Sequence, residues 1–171
     1  METDLSENKN LAQLAALLRK EKLTLAVAES CTSGLIQNVL SQAEEAMAFY
    51  QGGITAYNAG QKSRHLNINP IAAEACNSVS REIAEQMAVA VATEFSAEIG
   101  LSITGYARPV PEEGILNCYA YIAAAKNGKL IFSKRIKGDS KKSLPDNQLN
   151  YVLKIIEELL KMMKSTRKQK M

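Results

Sequence analysis

The sequence predicts an α/β fold: a three-layer α/β/α sandwich on a mixed, mainly parallel five-stranded sheet with a C-terminal antiparallel hairpin. Short apolar runs at 23–28, 53–57 and 99–103 alternate with segments of helical periodicity, an order that favours parallel pairing through right-handed crossovers. Two β-rich runs, 117–125 and 129–136, flank Asn127-Gly128, and an Asn-Gly pair in that position signals a tight hairpin. A length of 171 residues suits one domain with a full core. That domain is expected over residues 1–164, followed by a basic, disordered tail over 165–171.

In chain order, Leu11, Leu14, Ala15 and Leu18 recur at helical spacing and predict an amphipathic helix over 9–21. Residues 23–28 read as a short buried strand and 33–42 as the helix after it. The second strand, Gly53 to Tyr57, gives way to NAGQKSRHL, read as a polar loop around Lys62, and Asn69-Pro70 marks a turn. Ser80 is placed to cap a helix whose apolar face is Ile83, Met87, Ala90 and Val91. The third strand, Ile99 to Ile103, runs into TGYARPVPEEG, whose prolines and glycines interrupt regular structure. After the hairpin, a helix from about Pro145 to Lys164 collects Leu149, Val152, Leu153, Ile156, Leu159, Leu160 and Met163 on one side.

Composition narrows the function classes. The net charge of +3 comes from the last eleven residues, where Lys161, Lys164, Arg167, Lys168 and Lys170 have no acid among them; without those five charges the body stands at −2. A nucleic-acid groove is not expected on such a body. No apolar run approaches the roughly 20 residues of a membrane-spanning helix, and the start METDLSENKN lacks the layout of a signal peptide, so the cytoplasm is the expected compartment. Three scattered cysteines and a single histidine give neither a disulfide framework nor a metal site, and no cofactor is expected.

The chemistry gathers where the predicted strands end. Parallel strands share one carboxyl edge, which is where open α/β sheets bind ligands. That edge would bring together Glu29-Ser30-Cys31-Thr32-Ser33, the segment from Asn58 to Lys62, and Thr104-Gly105. In AESCTSG, residues 28–34, a hydroxyl can cap the following helix, and the first-turn amides up to Gly34 can hold an anion. A lysine beside a serine can serve as its base when burial lowers the lysine pKa, which singles out Ser30 and Lys62, with Tyr57 between them in sequence. Cys31 lies near a helix start that can depress a thiol pKa, but the segment lacks the histidine a cysteine nucleophile uses. His65 reads as a surface helix residue and not as a catalytic base.

At these residues the sequence resembles the CinA carboxyl-terminal domain family, the nicotinamide-nucleotide amidohydrolases. The family's A-E-S-C-T-G-G-L-I appears as Ala28-Glu29-Ser30-Cys31-Thr32-Ser33-Gly34-Leu35-Ile36. Thr55-Ala56-Tyr57 with Lys62 is similar to its T-Y-S-N-E-A-K, Val79-Ser80 to its V-S, and Ile103-Thr104-Gly105 with Ala107 and Pro109 to its V-T-G-I-A-G-P. The resemblance spans roughly residues 10–162. It implies a homo-oligomer that hydrolyses the carboxamide of nicotinamide mononucleotide, or a related phosphorylated amide, without a metal. Ser30 would be the nucleophile, with Lys62 and Tyr57 managing its proton. Glu29, Cys31, Thr32, Ser33, Gly34, Thr104, Gly105 and Arg108 would contact the substrate, through its phosphate or the oxyanion. The apolar face of the last helix is expected to add to subunit contact.

Departures from the pattern open a second reading. Arg108 stands where the family has glycine, and Val110-Pro111-Glu112-Glu113 replaces a glycine-rich stretch. Asn117-Cys118 takes the place of a G-T pair, Ser140 that of an arginine after Gly138-Asp139, and Ala59 that of an asparagine. Serine cannot supply an arginine's charge or its bidentate fork, which leaves Arg108 or Lys141 to compensate. The two readings are an amidohydrolase with altered or reduced activity and a non-catalytic nucleotide-binding or regulatory module.

Overall fold

The computed structural model describes residues 4–168. Five strands form one sheet in the order β2-β1-β3-β4-β5: β1 Leu25–Glu29, β2 Tyr50–Thr55, β3 Ile99–Tyr106, β4 Tyr119–Lys126 and β5 Lys129–Lys137. β1 lies parallel to both β2 and β3, while β4 and β5 pair antiparallel across the Asn127-Gly128 turn. This is the expected mixed sheet, with its parallel part at the site end. β1 is buried at every position, as a central strand covered on both faces must be.

Six α-helices complete the layers: α1 Lys9–Glu21, α2 Leu35–Ser41, α3 Ala59–Leu66, α4 Pro70–Ala75, α5 Arg81–Glu94 and α6 Leu144–Lys168. α1, α2 and α6 share one core with the sheet, built on Leu14, Leu18, Val27, Ile36, Leu101, Ile122 and Ile156. α3, α4 and α5 cover the other face through Ala28, Leu66, Ile68, Ile83, Met87 and Val91. Local chemistry sets the helix starts. The Asn8 side chain accepts from the amides of Asn10 and Leu11, Asn69 from those of Ile71 and Ala72 ahead of Pro70, and Ser80 from that of Ile83.

α5 lies almost directly on the sheet. A Cβ at Gly100 would sit 1.9 Å from the carbonyl oxygen of Ala88, and the Ser102 hydroxyl donates to the carbonyl of Ala84 at 2.5 Å. Small residues facing each other allow this approach and fix where α5 begins, next to the carboxyl edge.

Three expectations are corrected. The second strand starts at Tyr50 and stops at Thr55, so Tyr57 lies beyond it. NAGQKSRHL is not a loop but α3, opened by Asn58, whose side chain accepts from the amide of Gln61 at 3.0 Å. α6 continues past Lys164 to Lys168, so the first part of the expected tail is helical; residues 169–171 lie outside the described residues. Of the apolar residues of α6, Tyr151, Val152, Ile155, Ile156, Leu159 and Leu160 are buried within the chain, while Leu149, Leu153 and Met163 are half-buried. Among the described residues no helix is long and apolar enough to cross a membrane.

Candidate active site

Ser30 follows β1 by one residue, and α3 turns its inward face toward it. That face carries Lys62 and Leu66, one helical turn apart and both buried. The Lys62 ammonium donates to the Ser30 hydroxyl at 3.0 Å, with Lys62 only 1% and Ser30 6% exposed. Burial drives the Lys62 pKa from 10.5 down to about 8, against an opposing pull from the sulfurs of Cys31 and Cys76. That pull requires thiolates, and burial pushes the Cys31 thiol up to about 12. Cys31 is therefore uncharged where Lys62 titrates, and burial decides the matter.

The pair opens on a cavity of about 330 Å³. Its buried end holds Ser30, Cys31, Lys62 and Ser78; Tyr57, Asn58, Arg108 and Glu113 stand at its rim, with the Gly105 backbone along one wall. Tyr57 is 66% exposed, and no hydrogen bond links it to Ser30 or Lys62 among the described residues. A desolvated lysine in hydrogen-bond contact with a serine hydroxyl is an arrangement that can activate a serine once the lysine is neutral.

The acid of AESCTSG does something else. Glu29 is fully buried, and its carboxylate accepts from the Thr32 hydroxyl at 2.5 Å and from the amides of Gly34, Ile36 and Gln37 at 3.2, 3.1 and 2.9 Å. It takes up the donors that α2 leaves without intrahelical partners. The chain thus supplies its own anion at the helix start where the sequence left room for a phosphate.

The profile of the CinA carboxyl-terminal domain matches residues 7–160. The chain belongs to this family. A CinA-like protein of Dictyoglomus thermophilum is 37% identical over 127 residues, covering 72% of this chain and 30% of that protein. A CinA-like protein of Nostoc sp. is 41% identical over 103 residues, 60% of this chain and 24% of that protein. The chain spans about a third of the length of the curated relatives it matches. The fold agrees with that of a CinA superfamily protein from Klebsiella pneumoniae at a TM-score of 0.86 and 21% identity, over 95% of this chain and 99% of that one.

Within this CinA domain the structure brings Ser30, Cys31, Tyr57, Lys62, Gly105 and Arg108 to one cavity and places the other expected contacts elsewhere. Thr32, Ser33 and Gly34 border a separate, more open depression of about 380 Å³ beside Pro145 and Gln148. Thr104 is fully buried behind the wall, its hydroxyl donating to the carbonyl of Ser78 at 2.7 Å. Arg108 lines the cavity, at its rim. Lys141 does not line it, and the Ser140 hydroxyl is engaged with the amide of Cys118.

Sequence reasoning passed over Asn77, Ser78, Tyr106 and Glu113, all of which line the CinA cavity. Asn77 donates to the Tyr106 hydroxyl at 3.1 Å and to the Glu113 carboxylate, tying the turn before α5 to the loop after β3. The legible signal was Asn77 itself, since asparagine favours the left-handed backbone it adopts here at φ 47°.

Proposed function

We propose that the chain is a serine amidohydrolase acting on the carboxamide of nicotinamide mononucleotide or a related phosphorylated amide. The single observation that carries this reading is the buried 3.0 Å hydrogen bond from Lys62 to Ser30, with the lysine brought down to about 8 by burial. As the free amine, Lys62 takes the Ser30 proton while the oxygen adds to the carboxamide carbon. The proton then passes to nitrogen, the C–N bond breaks and ammonia leaves. Water attacks the acyl-serine ester, giving its proton to Lys62; the ester C–O bond breaks, the proton returns to Ser30, and the carboxylic acid departs. The resemblance of the motif around Ser30 supplies the pyridine carboxamide; the cavity by itself supplies the nucleophile.

Ammonia release from nicotinamide mononucleotide tests the reading. Because the working form of Lys62 is unprotonated, kcat/KM is expected to rise with pH and level off above about 8. A rate flat between pH 6 and 9, or no ammonia at any pH, would overturn it.

With the α2 amides taken by Glu29, the phosphate in this reading turns to Arg108 at the rim. Arg108→Ala is expected to raise KM for the mononucleotide about tenfold, in line with the loss of one charge-assisted contact. KM for the unphosphorylated riboside should stay where it is, so parallel steady-state assays on the two substrates separate phosphate recognition from a general disturbance of the loop.

A further inference from the structure

Among the described residues, one buried side-chain oxygen lacks a hydrogen-bond partner: Oγ of Ser78. Ser78 is 3% exposed and lines the cavity that holds Ser30 and Lys62. A buried hydroxyl left unpaired costs free energy, and such groups in native proteins call for a reason.

The surroundings hold Ser78 in place by its backbone alone. Its amide donates to the carbonyl of Ala73 at 2.6 Å, and its carbonyl accepts from the fully buried Thr104 hydroxyl at 2.7 Å. Asn77 and Ser78 both sit in the left-handed region, at φ 47° and 59°, a conformation that costs a residue with a Cβ. β3 and the end of α4 thus hold a strained turn, and the hydroxyl it carries has no partner among the described residues.

The reaction requires an acceptor of this kind. A carboxamide that reaches Ser30 must enter the buried end of the cavity, where its two N–H donors lose water and need partners. Lys62, a donor while charged, is already engaged with Ser30. We propose that the Ser78 hydroxyl, which lies just beneath the cavity surface, turns about χ1 to receive the carboxamide nitrogen of the substrate: it accepts an N–H in the bound amide and then, its own hydrogen reoriented, donates to the nitrogen lone pair as ammonia departs. Ser78 is in this assignment a specificity-determining residue, selecting amides over esters. The assignment rests on the hydrolase reading.

The test compares the amide with the methyl ester of the same acid, nicotinic acid mononucleotide, in the wild type and in Ser78→Ala and Ser78→Gly. Glycine removes the hydroxyl and relieves the backbone, so at least one variant keeps the turn. Expected are a loss of about 10- to 100-fold in kcat/KM for the amide in both variants, ester hydrolysis within about twofold of wild type, and a melting temperature unchanged or raised. Equal losses on amide and ester would make Ser78 a structural residue and overturn the assignment. So would amide hydrolysis at the wild-type rate in both variants. A wild type inert toward amide and ester alike would overturn the hydrolase reading, and this assignment with it.

Discussion

Lys62→Met is expected to abolish amide hydrolysis and at the same time make the protein harder to melt. Burial lowers the Lys62 pKa from 10.5 to about 8, so holding the charged ammonium in the fold costs about 3 kcal/mol at neutral pH. The cost applies fully below pH 8, where the folded protein also carries the proton. Between 8 and 10.5 the unfolded chain binds more protons than the folded one, stability rises with pH, and above 10.5 the penalty is gone. Methionine fills a similar volume without the charge. The gain, net of the lost hydrogen bond to Ser30, is about 2 kcal/mol, or roughly 5 °C in Tm for a chain of this length. Calorimetry should find the difference from wild type at pH 7 shrinking toward pH 10, while ammonia release falls by at least about 10³-fold. Ser30→Ala makes the informative contrast: the same loss of activity, but a lower Tm, because the buried ammonium loses its acceptor. A Lys62→Met protein that melts below wild type at pH 7 would show that the lysine is not held at a cost.

Glu29→Ala should be the most destabilising of these substitutions. The carboxylate answers the Thr32 hydroxyl and three backbone amides in a fully buried position; the Thr32 hydroxyl and the Ile36 amide are buried with it, while the Gly34 and Gln37 amides are part-buried. Each buried donor left unpaired costs about 1–3 kcal/mol before relaxation, and with partial rearrangement of the α2 start the expected loss is about 4 kcal/mol. Urea titration measures it. Glu29→Gln keeps the shape but turns an NH2 group toward amides, and is expected to recover no more than about half of the loss. A cost under about 1 kcal/mol for Glu29→Ala would mean that α2 is seated by its packing on Ile36, Val39 and Leu40 and not by the acid.

The sheet and most of its helices are readable because their signals are local. Asn127-Gly128 makes the hairpin, Ser80 caps α5, and the apolar run at Leu25 leads straight to Ser30. What the sequence hides is what depends on distant partners. Lys62 looks solvated in a stretch of polar residues, because the inward face of α3 is only Lys62 and Leu66 and gives too short a pattern to recognise. The first residues of β2, Tyr50 to Gly52, go unnoticed because Gly52 lacks a β-forming side chain; it lies against Phe95, whose ring would stand 3.1 Å from a Cβ there. Glu29 is visible as an acid at a strand end, but the backbone amides it satisfies leave no mark in residue types. Thr104 belongs to the right motif yet works one layer behind the cavity, holding the turn on which Ser78 sits.

With Glu29 seated against its own helix, the strand end is already neutralised from within, and buffer ions such as sulfate or inorganic phosphate find no vacancy there. At the rim of the cavity the guanidinium of Arg108 remains exposed. At such an exposed cation, attraction fades within a Debye length of about 8 Å at physiological ionic strength. The start of α2 is in this way insulated from the salt content of its surroundings, while the attraction of an anion to Arg108 varies with it.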